Sequence, residues 1–406
     1  MAQDLEGLEV VPGGVTAPRG FQAAGVHAGV KRKRLDLALI YSELEATAAG
    51  TFTRNRVKAA PLLLTMEHVA RGRARAIVVN SGNANACNGP RGMVDARRMA
   101  EETAAALGIE PELVLVGSTG VIGQPLPIEK VIAGIRRAAK LLDRDGGTAA
   151  AEGIMTTDTR PKQIAVRFRL GGQAVTIGAI AKGSGMIHPN MATMMAFFTT
   201  DAAIECEQLR EALRRAVNRT FNMITVDGDT STNDMVLILA NGAAHNRRIE
   251  RGGDDFERFA AALEYAATHL AKEIVRDGEG ATKLVEVRVR GARTEDDARK
   301  AAKAIANSNL VKTAIYGEDA NWGRIFCAAG YSGAEFDPER VDIWIGELAV
   351  AKDGMALPFD EGKAKEILHE PEVTLTVDLR AGPHAATVWT CDLTYEYVKI
   401  NASYRT

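Results

Sequence analysis

The run Ala181-Lys182-Gly183-Ser184-Gly185-Met186-Ile187-His188-Pro189-Asn190-Met191-Ala192-Thr193-Met194-Met195-Ala196-Phe197-Phe198-Thr199-Thr200-Asp201 joins a glycine-rich, proline-broken loop to a strand-like apolar segment. A small-residue step, Ala192-Thr193, stands at the junction. A peptide bond at such a place can be held strained and exposed beside its own hydroxyl. Thr193 could then attack the Ala192 carbonyl, convert the amide to an ester, and leave water to finish the cut. The product chain begins with Thr193, whose α-amine has an unperturbed pKa of about 7.7–8.0 and can act as its own general base. An ordinary serine or threonine needs a separate histidine for that task. The bland alternative is a threonine that opens a strand for structural reasons.

Working outward, Ala76–Val79 reads as a buried strand followed by the turn-rich run Asn80–Asn85. A helix over Met93–Leu107 stops at Gly108 with Pro111 beyond it, as a helix end should. Leu113–Val116 is a short strand entering the loop Gly117-Ser118-Thr119-Gly120, and Pro127 opens a helix ending near Leu142. Ile164, Val166, Phe168 and Leu170 alternate with more polar neighbours, the period of a half-buried strand, and Gly171-Gly172 turns the chain into Val175–Ile180. Strands over Met194–Phe198, Met235–Ala240 and Leu284–Val289 then interleave with helices over Glu205–Val217, Phe256–Lys272 and Glu295–Ala306. The C-terminal part reads as strands, Val373–Val377 and Ala386–Ile400. Such mixing, with hairpins, predicts layered α/β sandwiches rather than one parallel barrel. The polar stretch Arg247–Asp255 reads as a boundary or exposed turn.

Composition narrows the function. The 406 residues are 46% hydrophobic and 25% charged, and 50 basic against 52 acidic residues leave a net charge of −2. That balance offers no field to hold a nucleic-acid backbone or an anionic membrane, so the expected partner is a small molecule or another copy of the chain. Cys87, Cys206, Cys327 and Cys391 lie far apart with no CxxC pair, which reads as reduced thiols of a cytoplasmic protein. The first fourteen residues lack the pattern of a secretory signal. Gly183–Thr200 is long enough to span a bilayer but carries Ser184, His188, Pro189, Asn190 and Thr193, so no membrane span is expected. No P-loop, HExxH or GxSxG occurs, and the glycines at 117, 120 and 123 are wrongly spaced for a dinucleotide fingerprint. Asp227-Gly228-Asp229-Thr230-Ser231 starts like a calcium loop, but Thr232 and Ile238 stand where a glycine and a glutamate belong. No metal is expected there; the acids read as caps for turn backbone.

The segment Lys182–Asp201 resembles the self-cleavage motif of the ornithine acetyltransferase family, the glutamate N-acetyltransferases of the acetyl-recycling arginine pathway. Further blocks follow in order: Gly13–Phe21, Phe52–Asn55 with Ala59–Pro61, Asn80–Cys87, Gly117–Gly123 and Met155–Thr159. Asp227–Asp234, Gly278–Lys283, Gly317–Arg324 and Tyr397–Thr406 complete them, so the resemblance covers essentially the whole chain.

The resemblance implies an αββα-like sandwich of the N-terminal-nucleophile type with a second, smaller α/β domain within roughly residues 245–340. It implies autoproteolysis between Ala192 and Thr193, giving an α chain 1–192 and a β chain 193–406 that both build the main sandwich and assemble as two α and two β chains. Thr193 is then the nucleophile that carries acetyl from N-acetylornithine to glutamate by a ping-pong route, releasing ornithine and forming N-acetylglutamate. Thr119 and Gly120 match the oxyanion-stabilising pair, whose blind reading is a strand-ending turn. Thr156, Lys182, Thr193, Glu279, Asn401 and Thr406 match substrate-binding positions. Apart from the resemblance, Lys182 reads as a surface lysine, Glu279 as a turn glutamate and Thr156 as a cap ahead of Asp158. Lys182 and Glu279 supply the cation and anion that a substrate with an α-carboxylate and a δ-ammonium calls for. Asn401 and Thr406 require a docked C-terminus, where chains ordinarily fray. No cofactor is implied, and many members of the family also accept acetyl-CoA as a second acetyl donor. The rival readings are an N-terminal-nucleophile aminopeptidase of related fold and a non-catalytic small-molecule binding protein.

Overall fold

The computed structural model describes residues 7–188, 194–250 and 252–403. The strands along the chain are β1 (Glu9–Val11), β2 (Phe21–Val26), β3 (Leu37–Phe52), β4 (Arg73–Asn83), β5 (Val114–Val121), β6 (Lys162–Leu170), β7 (Gln173–Lys182), β8 (Met195–Thr200), β9 (Met235–Ala240), β10 (Leu284–Ala292), β11 (Asp342–Ile345), β12 (Leu348–Lys352), β13 (Met355–Ala356), β14 (Glu372–Asp378) and β15 (His384–Cys391). The helices are α1 (Ala60–Val69), α2 (Gly89–Leu107), α3 (Ile128–Lys140), α4 (Gly147–Gly153), α5 (Cys206–Arg219), α6 (Asp254–Arg276), α7 (Glu295–Asn307), α8 (Asn309–Tyr316), α9 (Trp322–Gly330), α10 (Glu361–His369) and α11 (Tyr395–Ser403).

The larger sheet runs β1-β6-β7-β8-β9-β3-β4-β5, with β2 also paired to β3. The long strand β3 folds it into two halves. Residues 37–41 pair with β4, the register breaks between Tyr41 and Ala46, and Thr47–Phe52 pair with β9. The inner faces of the halves meet in one core: Ile180, Phe197, Leu237 and Leu239 from one side, Ile40, Ile77, Val79 and Leu115 from the other. Outside, α5 and α6 cover β6–β9, and α2 and α3 cover β2–β5. The layers are therefore α/β/β/α, as the mixed strand and helix patterns lead one to expect.

Local chemistry explains these layers. In β6, Ile164, Val166 and Phe168 are buried at alternate positions, and Phe168 meets Phe259 of α6 with ring centroids 6.4 Å apart. Each such fully buried side chain contributes about 1.5–3 kcal/mol of transfer free energy. The N-terminus of α6 carries Asp254, Asp255 and Glu257, which complement the helix dipole.

The smaller sheet runs β13-β12-β11-β14-β10-β15. Val285, Val287 and Val289 of β10 are buried beneath Ala298, Ala301, Ala302 and Ile305 of α7, whose cap Thr294 accepts a bond from the Asp297 N–H. Its strands span residues 284–391, beyond the 245–340 stretch expected for a smaller unit, and α6 within that stretch packs on the larger sheet.

Three local readings change. The run Asn80–Asn83 continues β4, and Gly117–Gly120 belongs to β5, because the two strands pair in parallel to their ends. The strand expected through Ile400 stops at Cys391, and residues 395–403 form α11. Beyond Cys391 the Asp392 carboxylate accepts the backbone N–H groups of Thr282 and Lys283, ending the ladder. Among the described residues no helix is long and apolar enough to cross a membrane.

Candidate active site

An open cleft of about 820 Å³ lies at the ends of β5, β7, β8 and β9 and is closed on one side by α11. Its walls include Thr119, Gly120, Thr156, Lys182, Met194, Asp227, Asn233, Asp234, Glu279, Tyr397 and Asn401. Six of the eight residues singled out from the sequence thus meet in one place: Thr119, Gly120, Thr156, Lys182, Glu279 and Asn401. Thr193 and Thr406, together with Ala192, lie outside the described residues.

Thr119 and Gly120 close the end of β5. Gly120 has φ +128°, and a Cβ there would overlap the backbone of Gly82, so only glycine lets β4 and β5 approach so closely. The Asn233 amide Nδ2 donates to the Ala84 carbonyl at 2.6 Å and to the Ser118 carbonyl at 2.8 Å, tying both strand ends together. The asparagines at 80–85 also serve the backbone. Asn80 donates to the Asn83 carbonyl, Asn83 accepts the Asn85 N–H, and Asn85 sits at φ +44°.

A buried ionic network sets the opposite wall. Lys162 Nζ, fully buried, donates to Asp158 Oδ1 at 2.7 Å and Asp277 Oδ2 at 2.6 Å. Asp158 also accepts the N–H groups of Thr156 at 2.9 Å and Gly183 at 2.8 Å, and Asp277 accepts the Thr159 N–H at 3.0 Å. Burial alone would push the Asp158 carboxyl up; the Lys162 and Lys182 ammonium groups and the hydrogen bonds from Lys162 and Thr156 outweigh it and hold it below the usual carboxylate range. The Thr156 loop, the Gly183 loop and the end of α6 are thereby locked to one another. Ser184 extends the lock, its hydroxyl donating to the Asp277 carbonyl and its own carbonyl accepting the Glu279 N–H.

Charge is divided across the cleft. Lys182, 8% exposed, ends β7 opposite Met195, and its ammonium group has no hydrogen bond or ion pair among the described residues. Facing it, the Glu279 carboxylate packs where a Cβ on Gly185 would stand and accepts a 2.7 Å bond from Asn401 Nδ2. Asp227 accepts the N–H groups of Met186 at 2.6 Å and Ile187 at 2.8 Å, pinning Met186 at φ +57°. A non-glycine residue held there costs about 1–3 kcal/mol, which the two carboxylate bonds offset. The Tyr397 hydroxyl approaches Asp227 Oδ2 at 3.4 Å; burial and then the neighbouring carboxylates of Asp227, Glu279 and Asp229 raise its pKa. Burial, and then Asp227, pushes the Asp229 carboxyl up. Docking of α11 depends on Gly280 (φ +72°), where a Cβ would press within 2.6 Å of the Tyr397 N atom. The Thr394 hydroxyl also donates to the Gly280 carbonyl at 2.7 Å.

Sequence reasoning treated Asp227 and its neighbours as turn acids and passed over Asn233, Asp234 and Tyr397. The available signal was position: Asn233-Asp234 stands immediately before an uninterrupted apolar strand, where a buried polar pair needs a reason. His188 is not among the lining residues.

Four layers of this kind, with a polar, charge-divided cleft at the strand ends, define an enzyme of layered α/β architecture. The profile of the ArgJ family matches residues 22–406, and the chain belongs to that family. The arginine biosynthesis bifunctional protein ArgJ of Symbiobacterium thermophilum is 61% identical over 98% of this chain and 100% of its own. Among solved structures, the arginine biosynthesis bifunctional protein argJ of Bacillus halodurans is 51% identical (TM-score 0.50), covering 51% of this chain and 98% of that one. The ornithine acetyltransferase of Mycobacterium tuberculosis, solved with ornithine, is 45% identical (TM-score 0.43), covering 46% of this chain and all of that one. The protein is thus an enzyme of acetyl transfer in arginine biosynthesis.

Proposed function

We propose that the enzyme is a glutamate N-acetyltransferase that moves acetyl from N-acetylornithine to glutamate through an acetyl ester on Thr193. The observation that carries this reading is the meeting of Thr119, Gly120, Thr156, Lys182, Glu279 and Asn401 in one cleft beside Met194, the residue that follows Thr193. Thr193 becomes the N-terminus of the β chain, 193–406, when the bond after Ala192 breaks, and its α-amine takes the hydroxyl proton. The α chain is 1–192. A solved chain from Bacillus halodurans is matched over 98% of its own length by only 51% of this chain, which supports a polypeptide in two pieces.

In the first half-reaction the Thr193 oxygen attacks the acetyl carbonyl, and the oxyanion is met by the Thr119 hydroxyl and the Gly120 N–H. Each such donor is worth roughly 2.7–4 kcal/mol in other enzymes. Lys182 takes the substrate carboxylate, and Glu279, steadied by Asn401, takes the δ-ammonium; Thr156 and Thr406 complete the polar contacts. When glutamate follows, the Asn401 amide turns its N–H toward the side-chain carboxylate that Glu279 would repel. With substrate bound the cleft is filled and largely dry, so the ester waits for an amine. Acetyl-CoA is a second donor for the same hydroxyl, no metal or cofactor enters, and the working assembly is two α and two β chains in the cytoplasm.

A denaturing gel tests this: two bands of near-equal mass for the wild type and one full-length band for Thr193→Ala. Acetyl-enzyme made from N-acetylornithine should pass its acetyl to glutamate far faster than to water. An uncut wild type with full transferase activity defeats the reading; equal rates to water and glutamate favour the aminopeptidase alternative.

A further inference from the structure

Asp234 lines the cleft and is 3% exposed. Among the described residues its buried Oδ2 has no hydrogen-bond partner. The backbone fixes its place: the Met235 N–H donates to the Met194 carbonyl at 3.2 Å, so Asp234 stands beside Met194 where β8 and β9 begin. Its backbone carbonyl accepts the Thr53 N–H, which anchors the residue. The charged group bearing on it is Lys182 on β7, and the hydroxyl beside it is that of Ser231 on its own loop. A buried carboxyl with an orphaned oxygen is destabilising, and more so if charged, so its presence calls for a function.

The chemistry of the cleft supplies one. Both amines of the reaction, the one that leaves and the one that arrives, are ammonium ions in neutral water. In the first half-reaction the threonine hydroxyl gives its proton to the departing nitrogen, which must collect one more to leave as an ammonium ion. In the second, the arriving ammonium must give up two protons, of which the threonine oxygen takes back only one. One proton is therefore donated on the way out and recovered on the way in.

We propose that Asp234 is the proton store of the cleft, neutral in the resting enzyme and ionised in the acetyl-enzyme. Its O–H gives the extra proton to the leaving amine and becomes a carboxylate; the carboxylate then takes the surplus proton from the incoming ammonium. Charges balance at each half-reaction, with no other reactant. Burial raises its pKa well above the ordinary carboxyl value, with the Ser231 hydrogen bond and Lys182 opposing, which favours the protonated form. Lys182 in turn offsets the carboxylate once it forms. The proposal rests on the ping-pong reading above.

The test is single-turnover acetylation of processed enzyme by N-acetylornithine without glutamate, read as ornithine released, across pH for wild type and Asp234→Asn. The wild-type rate should fall on the alkaline side as the store ionises. Asp234→Asn should be slower by about tenfold or more and lack that alkaline fall, and Asp234→Glu should restore part of both. Difference infrared spectra of the wild type should show a protonated-carboxyl C=O band that disappears on acetylation, a readout that stands even if Asp234→Asn does not fold. Ornithine release with no alkaline fall, or with the same fall in Asp234→Asn, overturns the proton store alone. No ornithine release until glutamate is added overturns the ping-pong reading, and the proton store with it.

Discussion

Replacing Lys162 by methionine removes one ammonium from between two carboxylates and leaves the volume nearly unchanged. Lys162 and Asp158 side chains are fully buried and Asp277 is 3% exposed, so water cannot take the place of the lost partner. Breaking a buried pair in this way costs about 3–5 kcal/mol, a large part of the roughly 5–15 kcal/mol by which folded proteins are stable. The pH dependence gives the reasoning a sharper edge. In the native protein Asp158 is held below its ordinary range, so its contribution is complete above the unfolded value of about 3.9 and is lost as pH falls toward the folded one. With methionine at 162, burial becomes the dominant influence and the carboxyl rises. The folded variant then binds the extra proton, so its stability grows as pH falls toward about 3.9. Urea unfolding of both proteins between pH 8 and pH 5 should show a gap that narrows on acidification, by about 1.4 kcal/mol for each pH unit of that interval lying below the variant's folded pKa. A gap below 1 kcal/mol at pH 8, or one that does not change with pH, would refute the assignment of this network as a buried ionic lock.

Gly185→Ala places a methyl group where the Glu279 carboxylate lies. Displacing that carboxylate should lower kcat/KM for N-acetylornithine about 10- to 150-fold, the worth of a hydrogen bond to a charged group, with little change in thermal midpoint; unchanged kcat/KM would show that Glu279 does not hold the ammonium. Asn233→Leu unties the Ala84 and Ser118 carbonyls and should cost about 1–3 kcal/mol for each orphaned group. Its transferase rate should fall more than its folded fraction does, since Thr119 and Gly120 lose their support; parallel losses in both would contradict that role.

The alternation in 164–170 and 284–289 made β6 and β10 readable, because each has one face on a helix and one toward polar surroundings. Gly108 and Pro111 likewise marked the end of α2, where Gly108 adopts φ +65°. Other features depend on contacts distant in sequence. Nothing local marks the bend in β3, since its two halves acquire their partners from residues 73–80 and 235–240. Tyr395, Tyr397, Val398 and Ile400 have strand-like propensities, yet α11 buries none of its residues in a core and finds its place through Gly280 and Glu279. Within the cleft, Thr119, Lys182 and Glu279 were legible through motif resemblance. Asp234 was not, because its burial, and an oxygen without a partner among the described residues, exist only once β8 lies against β9.

In the larger sheet β8 and β9 are wedged between β7 and β3, so the strands before and after position 192 interdigitate. Neither fragment could complete the larger sheet alone: the first would have a two-strand vacancy in its middle, the second an isolated pair with both edges bare. If the bond after Ala192 is cut as proposed, the cut must follow synthesis and folding. Once severed, the halves stay joined by β7–β8 and β9–β3 hydrogen bonds, and a denatured sample has to renature as a bimolecular encounter. Recovery after denaturation should then depend on protein concentration for the mature enzyme and not for an uncleavable precursor, making maturation a one-way step in the molecule's life.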